Sequence, residues 1–178
     1  AAGGRVATAT SAQGLALMSE IVLIAASLRL PIVMSLVNRS LSGPLSIWND
    51  HSDVMSIRDS GCVQVFCMNG QEAYDHTFWA FRVGEDKKVS LPVIVNMDGF
   101  IVSHVIEPIF YVEDDLVKKY LPPFEPVHRL HPDKPVTMGA FAMPEIFPEA
   151  KKAQDEALWN SKATIMKAWK EWKDLTGR

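Results

Sequence analysis

Four short apolar runs separated by stretches of helical character limit this chain to few folds: Arg5 to Thr10, Pro31 to Val37, Val63 to Met68 and Pro92 to Met97. Runs of this length bounded by turn signals read as strands. Strands that alternate with helices pair in parallel, because a parallel connection needs a crossover of a dozen or more residues. The pattern predicts an α/β fold: a parallel sheet with helices on both faces. A content of 48% apolar residues in a chain of 178 suffices for one sizeable core and points to a single domain.

The connecting segments can be read in turn. Ser11 is placed to cap a helix over 12–28, and Ser52 to Ser60 reads as a short helix. Gly70 opens a longer helix whose Ala73, Phe78, Phe81 and Val83 form its apolar side. The apolar run Leu15 to Leu28 is interrupted by Ser19 and Glu20 and is too short to cross a bilayer comfortably, so it reads as a buried helix. From 106 to 148, eight prolines rule out long regular elements and predict an extended arm. Glu149 to Leu175 has no internal proline or glycine and reads as one long helix, with Leu158, Ile165, Trp169 and Trp172 as its packing stripe. The expected division is an α/β domain over 1–105, the arm over 106–148, and a helix over 149–178 leading towards a following domain.

The net charge of -3, with no basic stripe, argues against nucleic acid or an anionic membrane as partner. Cys62 and Cys67 fall in one predicted strand, five positions apart, so they point to opposite faces and share neither a metal nor a disulfide. Two cysteines cannot supply a four-thiolate iron-sulfur site, and both read as buried free thiols of a cytoplasmic chain. No secretory signal is visible, and the chain opens on Ala-Ala-Gly-Gly without an initiator Met, which reads as a cut edge.

The polar connection from Val37 to Gly61 holds the residues best suited to chemistry. In an open parallel sheet, ligands bind outside the carboxyl ends of the strands. Arg39 sits there, and its planar guanidinium suits a carboxylate or a phosphate, or equally a structural ion pair with a nearby Asp. Asn49, Asp50, His51 and Asp53 resemble a metal cluster only superficially; their spacing favours helix capping and loop bracing, and no metal is assigned to them. Thr10, Ser11, Gln13 and Gly14 make a second polar strand-to-helix turn, without a dinucleotide or phosphate-loop pattern, where capping by Ser11 is the expected role. His128 and His131 lie in the arm without ligand partners at metal spacing, and His76 and His104 carry no signal. No Gly-x-Ser-x-Gly elbow is present, so nucleophilic hydrolysis is unsupported.

Five ordered motifs, at 8–18 (Thr-Ala-Thr-Ser-Ala-Gln-Gly-Leu-Ala-Leu-Met), 30–39 (Leu-Pro-Ile-Val-Met-Ser-Leu-Val-Asn-Arg), 47–53 (Ile-Trp-Asn-Asp-His-Ser-Asp), 58–61 (Arg-Asp-Ser-Gly) and 98–104 (Asp-Gly-Phe-Ile-Val-Ser-His), resemble the alpha subunit of pyruvate:ferredoxin oxidoreductases. The resemblance covers 1–145 and extends in kind to the terminal helix. It implies a partial three-layer sheet of the thiamine-diphosphate pyrimidine-binding type, followed by the arm and the long helix. It implies an enzyme that oxidatively decarboxylates pyruvate to acetyl-CoA and CO2, passing electrons through iron-sulfur clusters to ferredoxin. Arg39 corresponds to the arginine that holds the substrate carboxylate, and Thr10, Ser11 and Gln13 line the pyrimidine-side crevice.

The diphosphate, its Mg and the [4Fe-4S] clusters then belong to partner chains: a beta subunit, a gamma subunit and a ferredoxin-like delta subunit, with CoA and ferredoxin reached through the complex. The family's cofactor-activating glutamate, its first strand and a substrate-contacting threonine lie upstream of the residues present. The chain is therefore expected to be a fragment or a separately encoded piece, inactive and without measurable thiamine diphosphate binding by itself. Arg39 reads only a carboxylate, so a branched-chain or aryl 2-oxoacid is an alternative substrate. The Asn-Arg-Ser-Leu-Ser-Gly-Pro run disfavours 2-oxoglutarate. A different reading makes the chain an assembly element that docks catalytic partner chains through its arm and terminal helix.

Overall fold

A computed structural model describes residues 1–139 and 141–178. Four strands, β1 (Val6–Thr10), β2 (Ile32–Asn38), β3 (Val63–Cys67) and β4 (Val93–Asp98), form one parallel sheet in the order β1-β2-β4-β3. All four predicted strands are found within one residue at each end; Cys62 falls just outside β3.

The register pairs Val33 with Val93 and Met34 with Ile94, so alternate residues of neighbouring strands stack on a common face. On one face Met34, Leu36 and Ile94 are buried under α1 (Ala12–Leu17), α2 (Ser19–Ser27) and α3 (Ser52–Met55), with Leu15, Val22 and Val54 as the main contacts. On the other, Val33, Val63, Val93 and Val95 are buried under α4 (Gly70–Gly84) and α6 (Phe147–Thr176) through Trp79, Val83 and Ala168. The expected three-layer α/β sandwich is the one observed. Cys62 packs in the first layer and Cys67 in the second, on opposite faces as the strand period requires.

Three predicted elements differ in detail. The helix expected over 12–28 breaks at Met18, whose amide is shared between the carbonyls of Gly14 and Leu15. Its burial is also partial: Val22, Ala25 and Ala26 face the sheet, but Leu17 is 90% and Ile21 60% exposed. The reason is geometric, since β1 is an edge strand and four of its five residues are themselves exposed. Ser52 to Ser60 divides into α3 and a 3-10 turn at Arg58–Ser60, which ends on Gly61 at φ 89, a left-handed conformation that favours glycine. Among the described residues the arm contains the helix α5 (Asp114–Tyr120), which fits between prolines; Asp114 and Asp115 in its first turn and Lys118 and Lys119 in its last complement the helix dipole.

The long helix α6 starts with Pro148 in its first turn and stops at Gly177, φ 76. Trp172, 1% exposed, lies between Phe78 of α4 and Tyr120 of α5, with ring centroids at 5.4 and 4.8 Å. The Tyr120 hydroxyl donates to the Ala168 carbonyl at 3.0 Å. Trp169 stacks on Trp79 at 4.9 Å, and Arg82–Glu171 and Arg178–Asp75 form bidentate pairs beside this aromatic seam. Near its start, Gln154 accepts from Ser27 of α2 and donates to the Ser60 carbonyl, joining the two helical layers. Among the described residues no helix is long and apolar enough to cross a membrane.

Replacing Trp172 by Ala should therefore cost about 3–5 kcal/mol, as for a large buried aromatic, read as a lower urea midpoint at unchanged slope. Trp159→Ala, at a position 74% exposed on the same helix, should shift stability by no more than about 0.5 kcal/mol.

Candidate functional site

The site is organised by a buried carboxylate at the carboxyl ends of β1 and β2. Asp53, on α3, is 1% exposed. Its Oδ1 accepts from Asn38 Nδ2 at 3.0 Å and from the Val54 amide at 2.7 Å. Its Oδ2 accepts from the Ala12 and Arg39 amides, each at 3.2 Å. The expected roles are thus exchanged. Ser11 occupies the cap position of α1 with extended backbone but makes no capping bond; Asp53, 41 residues away, receives the amide of Ala12 instead. Asp50 supplies the local cap, accepting from the Ser52 amide at 2.7 Å, and hydrogen bonds from Ser52 hold its carboxyl below the usual range.

Ser11 is released to serve Arg39. Its hydroxyl donates to the Val37 carbonyl at 2.7 Å and accepts from Arg39 Nε at 2.8 Å. The ion-pair alternative for Arg39 is not realised: among the described residues no carboxylate pairs with its guanidinium, and the two terminal nitrogens carry no hydrogen bond. A half-buried guanidinium pinned at one nitrogen keeps a two-donor edge for a planar anion.

Neighbouring polar groups continue the hydrogen-bond network below Arg39, with Asn38 and Asn96 fully buried. Asn38 Nδ2 also donates to Asn96 Oδ1 at 3.1 Å, and Asn96 donates to the Val65 carbonyl at 3.1 Å. Asn38 Oδ1 is buried and has no donor. His51 Nε2 lies 2.9 Å from Asp98 Oδ1, its ring edge-on to Phe66 at 5.1 Å. Gly99 donates its amide to the Asn38 carbonyl at 2.9 Å, and a Cβ there would lie 2.6 Å from that carbonyl oxygen and 3.0 Å from the Ile47 oxygen. Both obstacles are backbone, so only glycine fits. Sequence reasoning missed Asn38, Asn96 and Asp98. The available signal was an asparagine near the carboxyl end of each of two largely apolar strands, Asn96 opposite Leu36 and so two residues below Asn38 in the register.

The remaining expected residues are dispersed. Gln13 donates to Ser42 Oγ at 3.0 Å on the outer lip of the crevice, and Thr10 Oγ1 lies over Gly14 in the space a Cβ would take. Both are uncharged hydrogen-bonding groups, and among the described residues no three His, Cys, Asp or Glu side chains converge where a metal could sit. His128 and His131 stay in the arm; His131 Nδ1 accepts from the Asp133 amide at 3.2 Å. His104 stacks on Phe100 at 4.2 Å. Cys67 Sγ lies 3.4 Å from His76 Nδ1 in the second core layer; burial pushes the thiol up to about 12 and the imidazole down, so this pair is neutral and inert at pH 7.

Known proteins resemble this chain in sequence and in fold. The family described as "Pyruvate flavodoxin/ferredoxin oxidoreductase, thiamine diP-bdg" matches residues 1–170. A pyruvate synthase subunit PorA of Thermotoga maritima is 51% identical over 179 residues, covering 100% of this chain and 46% of that protein. A pyruvate synthase subunit PorA of Methanothermobacter thermautotrophicus is 47% identical, with 99% and 46% covered. A ketoisovalerate oxidoreductase subunit VorA of Pyrococcus horikoshii is 40% identical, with 100% and 45% covered. This chain therefore spans about half the length of the curated relatives it matches. A 2-oxoglutarate:ferredoxin oxidoreductase from Magnetococcus marinus, solved with 2-oxoglutarate, coenzyme A and succinyl-CoA bound, shares the fold at TM-score 0.61 and 17% identity over 88% of this chain and 32% of that one.

The buried Cys67 thiol gives a direct test. Because its folded value of about 12 lies above the ordinary 9.0, its contribution to stability is complete below about pH 9 and is lost as pH rises towards 12. At pH 8 the native chain should leave Cys67 unalkylated by iodoacetamide over hours, and 8 M urea should expose it to complete reaction, with mass spectrometry as the readout.

Proposed function

This chain belongs to the pyruvate flavodoxin/ferredoxin oxidoreductase family, thiamine diphosphate-binding, and we propose that it supplies the substrate-carboxylate side of an enzyme that oxidatively decarboxylates pyruvate to acetyl-CoA and CO2. The observation that carries this reading is Arg39: Nε is pinned to Ser11, and the two terminal nitrogens point a free two-donor edge from the carboxyl ends of the strands. A 2-oxoacid carries a carboxylate beside its reacting carbonyl. Binding that carboxylate fixes the carbonyl's place and orientation before any bond changes, which converts binding into rate.

Pyruvate is favoured as substrate by the relatives named pyruvate synthase subunits at 51% and 47% identity. The relative named a ketoisovalerate oxidoreductase subunit supports a branched-chain oxoacid as the alternative. Both substrates share the group that Arg39 is suited to bind. Thiamine diphosphate, when bound, supplies the nucleophilic carbon and the electron sink that decarboxylation needs. In this reading Thr10 and Gln13 line its ring side, and Ser11 acts through Arg39. The Mg, the [4Fe-4S] clusters, CoA and ferredoxin are handled by beta, gamma and ferredoxin-like delta subunits or equivalent domains. An additional assembly role is favoured by the arm, where Ile106, Phe110 and Tyr111 are exposed apolar side chains.

In the complete complex, Arg39→Ala should remove a charge-assisted contact of about 1.5–3 kcal/mol, lowering kcat/KM for pyruvate by roughly 10- to 150-fold. The KM should rise while the electron-transfer steps, followed with artificial reductant, stay intact. An unchanged KM for the oxoacid would refute the assignment.

A further inference from the structure

We infer that Asp53 is the positioning residue for the Arg39 anchor: one of its carboxylate oxygens ties the backbone of Arg39 to that of Ala12 and so sets the spacing at which Ser11 holds the guanidinium. This rests on the reading of Arg39 as a substrate anchor. The other ties between the two segments at this level run through side chains that Asp53 does not hold, Ser11 Oγ to the Val37 carbonyl and to Arg39 Nε, and Gln13 to Ser42. The β1–β2 ladder pairs residues up to Thr10 and Leu36 and then ends, because β1 turns into α1 while β2 runs on to Asn38. At the turn Ala12 has φ 37, a left-handed conformation rare outside glycine, and is completely buried.

A buried amide needs an acceptor, and the one it finds is Asp53 Oδ2, which also takes the amide of Arg39. The same oxygen therefore bridges residue 12, next to Ser11, and residue 39. The other oxygen is fixed by Asn38 Nδ2 and the Val54 amide, so the carboxylate cannot rotate to relax one pair without breaking the other. Asp53 touches no substrate in this arrangement; it acts through the two residues that orient the guanidinium.

Asp53→Asn keeps the shape but replaces one acceptor by a donor, which sets N–H against N–H on one side whichever way the amide turns. In the complete complex we expect the KM for pyruvate to rise about tenfold or more, the scale of a small misplacement of a binding group. The deciding measurement is the same substitution in an Arg39→Ala background. A positioning residue has nothing left to position there, so KM should change by less than about twofold between the single and double variants.

An equal rise in both backgrounds makes Asp53 a structural residue and overturns the inference, as does an unchanged KM in Asp53→Asn alone. If Arg39→Ala itself leaves KM unchanged, the anchor reading fails and this inference falls with it. Should Asp53→Asn fail to assemble, Asp53→Glu, which keeps the charge but lengthens the side chain, takes its place under the same criteria. Failure of both to assemble assigns a structural role and overturns the proposal.

Discussion

The upper edge of this molecule depends on burying one carboxylate without a cation. Taking such a group out of water costs several kcal/mol unless its acceptors are filled. Asp53 fills all four of its accepting positions with N–H donors from three elements: Ala12 on α1, Asn38 and Arg39 at the end of β2, and Val54 on α3. Each donor is aimed at an ionisable oxygen and is stronger than a neutral bond of the same length. The start of α1, the end of β2 and the start of α3 are thereby fixed relative to one another, and Arg39 inherits a defined place from that junction. An arginine paired with Asp53 would have satisfied the charge as well, but it would have consumed the guanidinium.

The opposite face of the sheet is held by different physics. There the packing is aromatic and largely non-directional, with Trp172 between Phe78 and Tyr120 and Trp169 on Trp79. Ion pairs of α6 lie at the margins of this seam: Arg82–Glu171 is partly exposed, which limits its worth, whereas Arg178 pairs with the buried Asp75. Gln154 is the exception, since its amide reaches Ser27 and Ser60 and couples the aromatic layer to the layer that carries Asp53. A lesion in either layer is thus felt first by packing and only then by the crevice.

Much of this was legible in the sequence because it follows from periodicity. Strands two-sidedly apolar, such as Val93–Asp98, and a helix lacking proline, such as α6, announce themselves locally. The position of Arg39 just past a strand end was legible as well, and it lies one residue beyond β2. Asp53 was not. Capping rules are local, and they assigned Asp53 to the helix on which it lies and Ser11 to the helix it precedes, whereas the structure crosses the two over 41 residues. The exposure of Leu17 and Ile21 was equally hidden, because an apolar run carries no mark of whether its sheet strand is central or outermost. The short helix α5 escaped notice because proline counting bounds elements without locating those that fit between.

The geometry around Arg39 also determines how strongly it can act. A guanidinium in contact with water gains on the order of 1 kcal/mol from a carboxylate, since solvent screens the attraction. The same pair gains several times more once water is excluded. Exposed apolar side chains lie at the same end of the sheet: Trp48 packs against Phe100 at 4.6 Å, and Trp48, Phe66 and Ile101 are 59%, 41% and 57% exposed. Exposed apolar side chains of this kind are suited to meet a second apolar surface. On the proposed reading of Arg39, the pinned guanidinium selects a carboxylate, and the exclusion of water from that pair sets how tightly it is held.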